Sequence, residues 1–254
     1  MKVELLNYTS DALNLLLRTK NTRLANSNDD PATWSEARRA EHLSYMLDTI
    51  KSSWEFVDYV FEVSGASRAF THQFVRTRSG SYAQESQRTV DVREHGTVVP
   101  PAVEGNANLA AIWEAGVEAA FSCYSTMIDN GANVQDARGM LPTAVETSII
   151  AKFNLRTLSE MAKVRLCVRT QGEYQDVFRA MREAVIAVHP WAESFIEVHC
   201  AATGTCAFPR YGKTNCPFWD PRMDVTALKA DVKAKFWSGI RHVAVPVAKA
   251  GKTM

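Results

Sequence analysis

Net charge is nearly absent from this sequence: 29 lysine and arginine residues stand against 28 aspartate and glutamate, a formal +1. Such a balance gives no global field for a DNA backbone or an anionic membrane, so any anion site has to be local and nucleic acid is not expected as a partner. No apolar run approaches the roughly 20 residues of a membrane helix, and residues 1–7 lack the basic-then-apolar layout of a signal peptide. No membrane contact and a cytoplasmic location are expected, the host-cell cytoplasm if the source is a virus. The five cysteines are an odd number in a 254-residue chain too large to need staples, which suits reduced thiols. His199, Cys200, Cys206 and Cys216 lack the close Cys-x-x-Cys pairing of structural zinc, so no metal is expected. Repeats, low-complexity tracts and heptads are missing too.

What is present suffices for a core, with 46% hydrophobic and 22% charged residues. Helical spacing recurs at Leu43, Met46, Leu47 and Ile50, and again from Leu109 through Ile112, Trp113, Val117 and Phe121, beyond a break at Pro100. It returns at Leu155, Leu158, Met161 and Ala162, and at Val177, Phe178, Met181 and Val185, with Gly172 between the two sets. Val57, Tyr59, Phe61 and Val63 alternate as a strand ending at Ser64-Gly65, and a helix through Ala66, Ala69, Phe70 and Phe74 follows. Val3–Leu5 reads as a short strand. The chain is therefore expected to be α+β, helices packed around a modest, mostly antiparallel sheet, in one domain over 1–254 with a mobile tail after Ala244. Segment 89–106, polar and proline-bearing, reads as a loop fit for a lid or an oligomer arm.

Residues 73–88 concentrate three arginines, three glutamines and three serines in 16 positions. On an extended or looped stretch the guanidinium groups of Arg76 and Arg78 can converge on one ligand, and such forks match phosphate oxygens. Ser79 and Gly80 let backbone N–H groups approach an anion. Gln84, Ser86 and Gln87 offer the donors and acceptors that read a base or ribose. The plain alternative is a solvated loop whose arginines pair with nearby carboxylates.

The order of these residues resembles the signature of the flavin-dependent thymidylate synthases: Arg76-Thr77-Arg78, Ser81, then Gln84, Ser86 and Arg88, led in by Ser67-Arg68-Ala69 and His72-Gln73-Phe74-Val75. Ala137-Arg138-Gly139-Met140-Leu141-Pro142 followed by Glu146-Thr147, and Asn154-x-Arg156-x-Leu158 with Arg165, Gln171 and Glu173, resemble two further blocks of that family in the same order. The resemblance implies a homotetramer whose FAD and nucleotide sites are assembled from several subunits. Carried over position by position, it places Ser52, Arg76, Arg78, Ser79, Asn154, Arg156 and Arg169 at the flavin, Asn154 and Arg156 coming from another chain. It places Gln73, Gln84, Glu85, Ser86, Gln87, Arg88, Arg138 and Arg165 around a pyrimidine deoxynucleotide monophosphate.

The implied reaction carries a one-carbon unit from 5,10-methylenetetrahydrofolate to C5 of deoxyuridylate, with FAD as cofactor and NADPH as reductant. Arg165 is the implied catalytic residue, stabilising negative charge on the base. Ser86 is assigned to binding, since no histidine lies near it in sequence to activate it. Three positions depart from the family pattern: Thr77 replaces the signature histidine, Thr89 the usual tyrosine, and Ile50 a frequent histidine. These keep open a deoxycytidylate methylase or hydroxymethylase, since glutamine amides serve either base after a flip, and a flavin-binding protein without turnover. From another class, Tyr82 among the arginines and glutamines leaves open a non-catalytic nucleotide or single-strand nucleic-acid binding module. Trp191, Trp219 and Trp237 read as core or interface aromatics that could equally cover a folate ring. His42, His95, His189 and His242 suggest no joint site, and 228–235 reads as a solvated helix face.

Overall fold

The computed structural model describes residues 1–224, 229–239 and 247–248. In chain order it contains β1 (Lys2–Tyr8), α1 (Ala12–Arg23), α2 (Glu36–Leu47), β2 (Asp58–Ser67), α3 (Arg68–Phe74), β3 (Ser81–Gln84), α4 (Pro101–Glu104) and α5 (Ala107–Asp129). There follow α6 (Val134–Ala137), β4 (Glu146–Asn154), α7 (Leu155–Arg165), α8 (Gly172–Val188), α9 (His199–Thr203), α10 (Pro209–Asn215), α11 (Lys229–Gly239) and β5 (Val247–Ala248). The strand order is β3-β4-β2-β1-β5; four strands are antiparallel, and the short β5 runs parallel to β1, with Val3 opposite Val247. The architecture is the expected α+β. His242 and most of the tail after Ala244 lie outside the described residues.

The chain divides into two compact units: Met1–Lys2, Glu62–Arg78 and Tyr82–Ala151 form the first, and Val3–Phe61, Ser79–Ser81 and Lys152–Met254 the second. The strands β2 and β4 contribute residues to both.

In the first unit, α3 starts two residues later than the spacing predicts, because the Ser67 hydroxyl caps it by accepting the Phe70 N–H at 3.0 Å. The preceding strand runs on through Gly65, whose φ of +64° would strain a side chain and whose missing Cβ leaves the Met1 nitrogen 3.2 Å from where one would stand. The long helix α5, capped by Asn106 accepting from Asn108 and Leu109, buries only Tyr124. That ring packs with Val92, Ala137 and Val145, joined by Phe121, Met127 and Leu141. The expected loop 89–106 is partly built: Val98 N–H donates to Ala144 O at 2.9 Å, Thr97 bridges Val145, and α4 occupies its end.

In the second unit, α8 lays Tyr174, Val177, Phe178, Met181 and Val185 into the core, the i, i+3, i+4 face the sequence shows. On α7, Leu155, Leu158, Met161 and Ala162 do the same, beneath an N-cap in which Asn154 Oδ1 accepts the Thr157 N–H at 2.8 Å. The rings of Trp54 and Phe195 meet at 4.7 Å. Contrary to the spacing, α2 stops at Leu47 and Ile50 stands 69% exposed.

Candidate active site

A cleft of about 570 Å³ opens in the first unit, walled by α3, by the strand and turn around Gln84 and Gln87, and by the segment Arg138–Thr143. The α3 wall follows from helical geometry: Arg68, Thr71, His72 and Val75 are spaced i, i+3, i+4, i+7 and share one face. Gln73 lines the cleft as well.

Two guanidinium groups face this space. Burial, and after it the charge of Arg138, pushes the Arg68 guanidinium below its ordinary value, while Glu85 works the other way. Arg68 Nη1 also donates to the Glu85 carbonyl at 3.4 Å. Two like charges brought together with partial burial make a place where an anion is stabilised. The amide of Gln84 is held by donating to Thr71 Oγ1 at 2.8 Å. Gln87 is different. Its residue is 8% exposed and its Nε2 has no hydrogen-bond partner among the described residues. A buried unpaired amide donor costs about 1–3 kcal/mol, a penalty that a ligand acceptor in the cleft removes.

The remaining signature residues divide sharply. Arg76, Arg78 and Ser79 lie exposed in the turn after α3. That turn is pinned from within: the Tyr82 hydroxyl sits between the carbonyl oxygens of Phe74 (3.1 Å) and Thr77 (2.7 Å), so this phenol is spent on the loop. Glu85 Oε1 pairs with His95 Nε2 at 3.0 Å. Ser86 Oγ accepts the Arg88 N–H at 3.3 Å, a local turn contact. The Arg88 side chain turns to Gln135, donating from Nε at 2.7 Å, and does not line the cleft.

Ser52, Asn154, Arg156, Arg165 and Arg169 belong to the second unit. There Ser52 Oγ accepts from Arg23 at 3.4 Å, Arg156 pairs with Glu55, Arg165 lies 4.5 Å over the Tyr174 ring and Arg169 lies 4.4 Å over Phe208. Within the first unit, then, the structure brings together Gln73, Gln84, Gln87 and Arg138 from the substrate set. It adds Arg68 and His72, which the sequence marks only as leading into the signature, and Thr71, which it does not mark.

Residues 4–191 match the family model described as thymidylate synthase complementing protein. The chain is 33% identical over 197 residues to a flavin-dependent thymidylate synthase of Geobacter sulfurreducens, an overlap of 75% of this chain and 84% of that one. A flavin-dependent thymidylate synthase of Pyrococcus furiosus is 33% identical over 166 residues, 61% of this chain and 67% of that one. One of Thermococcus onnurineus is 30% identical over 222 residues, 81% and 89% respectively. The arginine-and-glutamine cleft thus sits in a chain that belongs to the flavin-dependent thymidylate synthases, a family of methyltransferases.

Proposed function

We propose that the chain carries a one-carbon unit from 5,10-methylenetetrahydrofolate to C5 of a pyrimidine deoxynucleotide monophosphate, deoxyuridylate becoming thymidylate, with FAD as cofactor and NADPH as reductant. The observation that carries this reading is the buried, unpaired Gln87 amide in the same cleft as Arg68 and Arg138. The two guanidinium groups take the phosphate, whose charge relieves their mutual repulsion. Gln87 Nε2 donates to a base oxygen, the tethered Gln84 orients the ring from the same wall, and Gln73 does so from α3.

The flavin residues carried over from the family fit in part. Arg76 and Arg78 are exposed forks with no carboxylate paired to them among the described residues, which suits a phosphate-bearing cofactor. Arg156 does not stand ready: its ion pair with Glu55 has to be exchanged for the ligand. When bound, the flavin supplies the hydride that brings the transferred carbon to the methyl level. Arg165 is the proposed catalytic residue; its fixed positive charge stabilises the base as C5 becomes nucleophilic.

Asn154 and Arg156 come from another chain of a homotetramer with shared sites, as the family resemblance implies. The surface of α5 supports this: the 23-residue helix is mostly apolar yet buries only Tyr124, leaving Ile112 70% and Leu109 42% exposed. Among the described residues no helix is long and apolar enough to cross a membrane, so this face is not a span. A cytoplasmic enzyme in which residues 1–254 act as one domain completes the reading.

The test supplies FAD, NADPH and methylenetetrahydrofolate with either deoxyuridylate or deoxycytidylate and weighs the products. A methyl-sized gain on deoxyuridylate supports the proposal. A gain on deoxycytidylate alone, methyl or hydroxymethyl, moves the substrate assignment to the amide-flipped reading, and no gain on either overturns catalysis.

A further inference from the structure

Four of the five cysteines meet in one place. Cys167, just after α7, Cys200 in α9, Cys206 between α9 and α10, and Cys216, just after α10, line a single cavity of about 30 Å³ in the second unit. The fifth, Cys123, is exposed on α5. The other walls are mainly aromatic and aliphatic, among them Phe208, Phe218 and Trp219, and no charged side chain lines the cavity.

Three observations point to a ligand there. First, the packing is built around sulfur: a Cβ on Gly212 would stand 2.6 Å from the Trp219 ring and 3.2 Å from Cys206 Sγ, so only glycine lets α10 close over the thiols. Second, backbone donors are aimed at the sulfurs from two residues on. Phe208 N–H donates to Cys206 Sγ at 3.4 Å, and the Arg169 backbone N–H favours the Cys167 thiolate. Such N–H groups stabilise a negatively charged sulfur. Third, the helices that carry the thiols are short, five residues for α9 and seven for α10, so tertiary contacts and not their own backbone bonds must hold them.

The lining says what the ligand must be: four thiol groups share one apolar cavity, and none of its described lining residues is charged. Four thiolates cannot coexist in an apolar cavity without a cation, and the protein places none in the lining. A dication of thiophilic character inverts that balance.

We propose that Cys167, Cys200, Cys206 and Cys216 form a tetrathiolate site for one zinc ion, tying the segment after residue 198 to the end of α7. Binding exchanges four thiol protons, released to solvent, for one divalent ion with no change of oxidation state. As the side chains stand, no three cysteine, histidine, aspartate or glutamate groups among the described residues already close on one point. The sulfurs therefore turn inward from the cavity wall as the ion enters. The sequence spacing hides the site because Cys167, the ligand that completes it, comes from a distant segment.

The test uses the full-length protein purified without chelator. The expected result is about one zinc per chain, four thiols that react with a thiol reagent only after a mercurial releases the metal, and cobalt-substituted protein with the visible bands of a tetrathiolate. A Cys206→Ser/Cys216→Ser variant is expected to lose the zinc; should it fail to fold, the metal count and thiol titration of the unaltered protein decide alone. Zinc-free protein with all five thiols reactive, two disulfides in the intact mass, an iron chromophore, or a folded variant that keeps its zinc would each overturn the assignment.

Discussion

Replacing Gln87 by leucine separates binding from folding, because the two effects are predicted to have opposite signs. The side chain is 8% exposed and its Nε2 has no partner among the described residues, so the folded chain carries a desolvated donor at a cost of about 1–3 kcal/mol. Leucine has a similar volume and no donor. The Gln87→Leu variant is therefore expected to be more stable than the parent by about 1 kcal/mol, read from urea unfolding without nucleotide. In the complex the same change leaves a base oxygen unpaired. Deoxyuridylate affinity is expected to fall tenfold or more, since about 1.4 kcal/mol is a factor of ten, measured by titration calorimetry at fixed salt. A variant that loses stability yet binds the nucleotide like the parent would refute the assignment of Gln87 to the cleft.

Four other changes extend the test. Arg138→Met is expected to weaken phosphate-bearing ligands by about 1.5–3 kcal/mol, the range for a charge-assisted bond, while deoxyuridine without the phosphate is hardly affected; equal losses for both would rule out a phosphate role. Arg182→Met removes a guanidinium that is 7% exposed, donates to Ile196 O at 2.7 Å and meets the buried Glu197 at 3.2 Å. It is expected to lower stability by about 3 kcal/mol, toward the low end for a broken buried pair because Lys233 still reaches Glu197, and a loss under about 1 kcal/mol would contradict it. His189 is buried beside the Tyr59 hydroxyl at 3.0 Å, and burial holds its folded value below the ordinary one. The unfolded chain then binds the extra proton first, so stability present above about pH 6.5 is lost as pH falls; His189→Gln should flatten part of that slope in pH-dependent unfolding, and an unchanged slope would remove His189 from the account. Ile112→Glu on α5 is expected to reduce the assembly seen by light scattering and with it turnover, whereas an unaltered tetramer would place the interface elsewhere.

The chemistry of the site is more legible in the sequence than its walls. Arg76, Arg78, Gln84 and Gln87 stand out by their density in 73–88, which a solvated loop could also show; it is their order, and for Arg138 its block, that resembles the family and points to anion and base recognition. The role of Arg68 and His72 depends on what the α3 face meets. Helical spacing puts them on one face with Val75, but only the fold shows that this face lines a cleft. Composition likewise marks Tyr82 as a stacking candidate, but its hydroxyl is committed to two turn carbonyls. Long apolar periods on α7 and α8 announce themselves. By contrast β4 alternates Thr147, Ile149, Ala151 and Phe153 on its buried face, and threonine and alanine make that pattern faint. The second-unit arginines are recognisable by family resemblance alone, since their contacts within one chain, Glu55, Tyr174 and Phe208, give no hint of a shared ligand.

The central claim is that the first-unit cleft holds a pyrimidine nucleotide by its phosphate and base edge. A crystal structure with deoxyuridylate bound tests it most directly. The account predicts the phosphate between Arg68 and Arg138 with a base oxygen within hydrogen-bond distance of Gln87 Nε2. Nucleotide bound outside this cleft, or bound with Gln87 still unpaired, would contradict it.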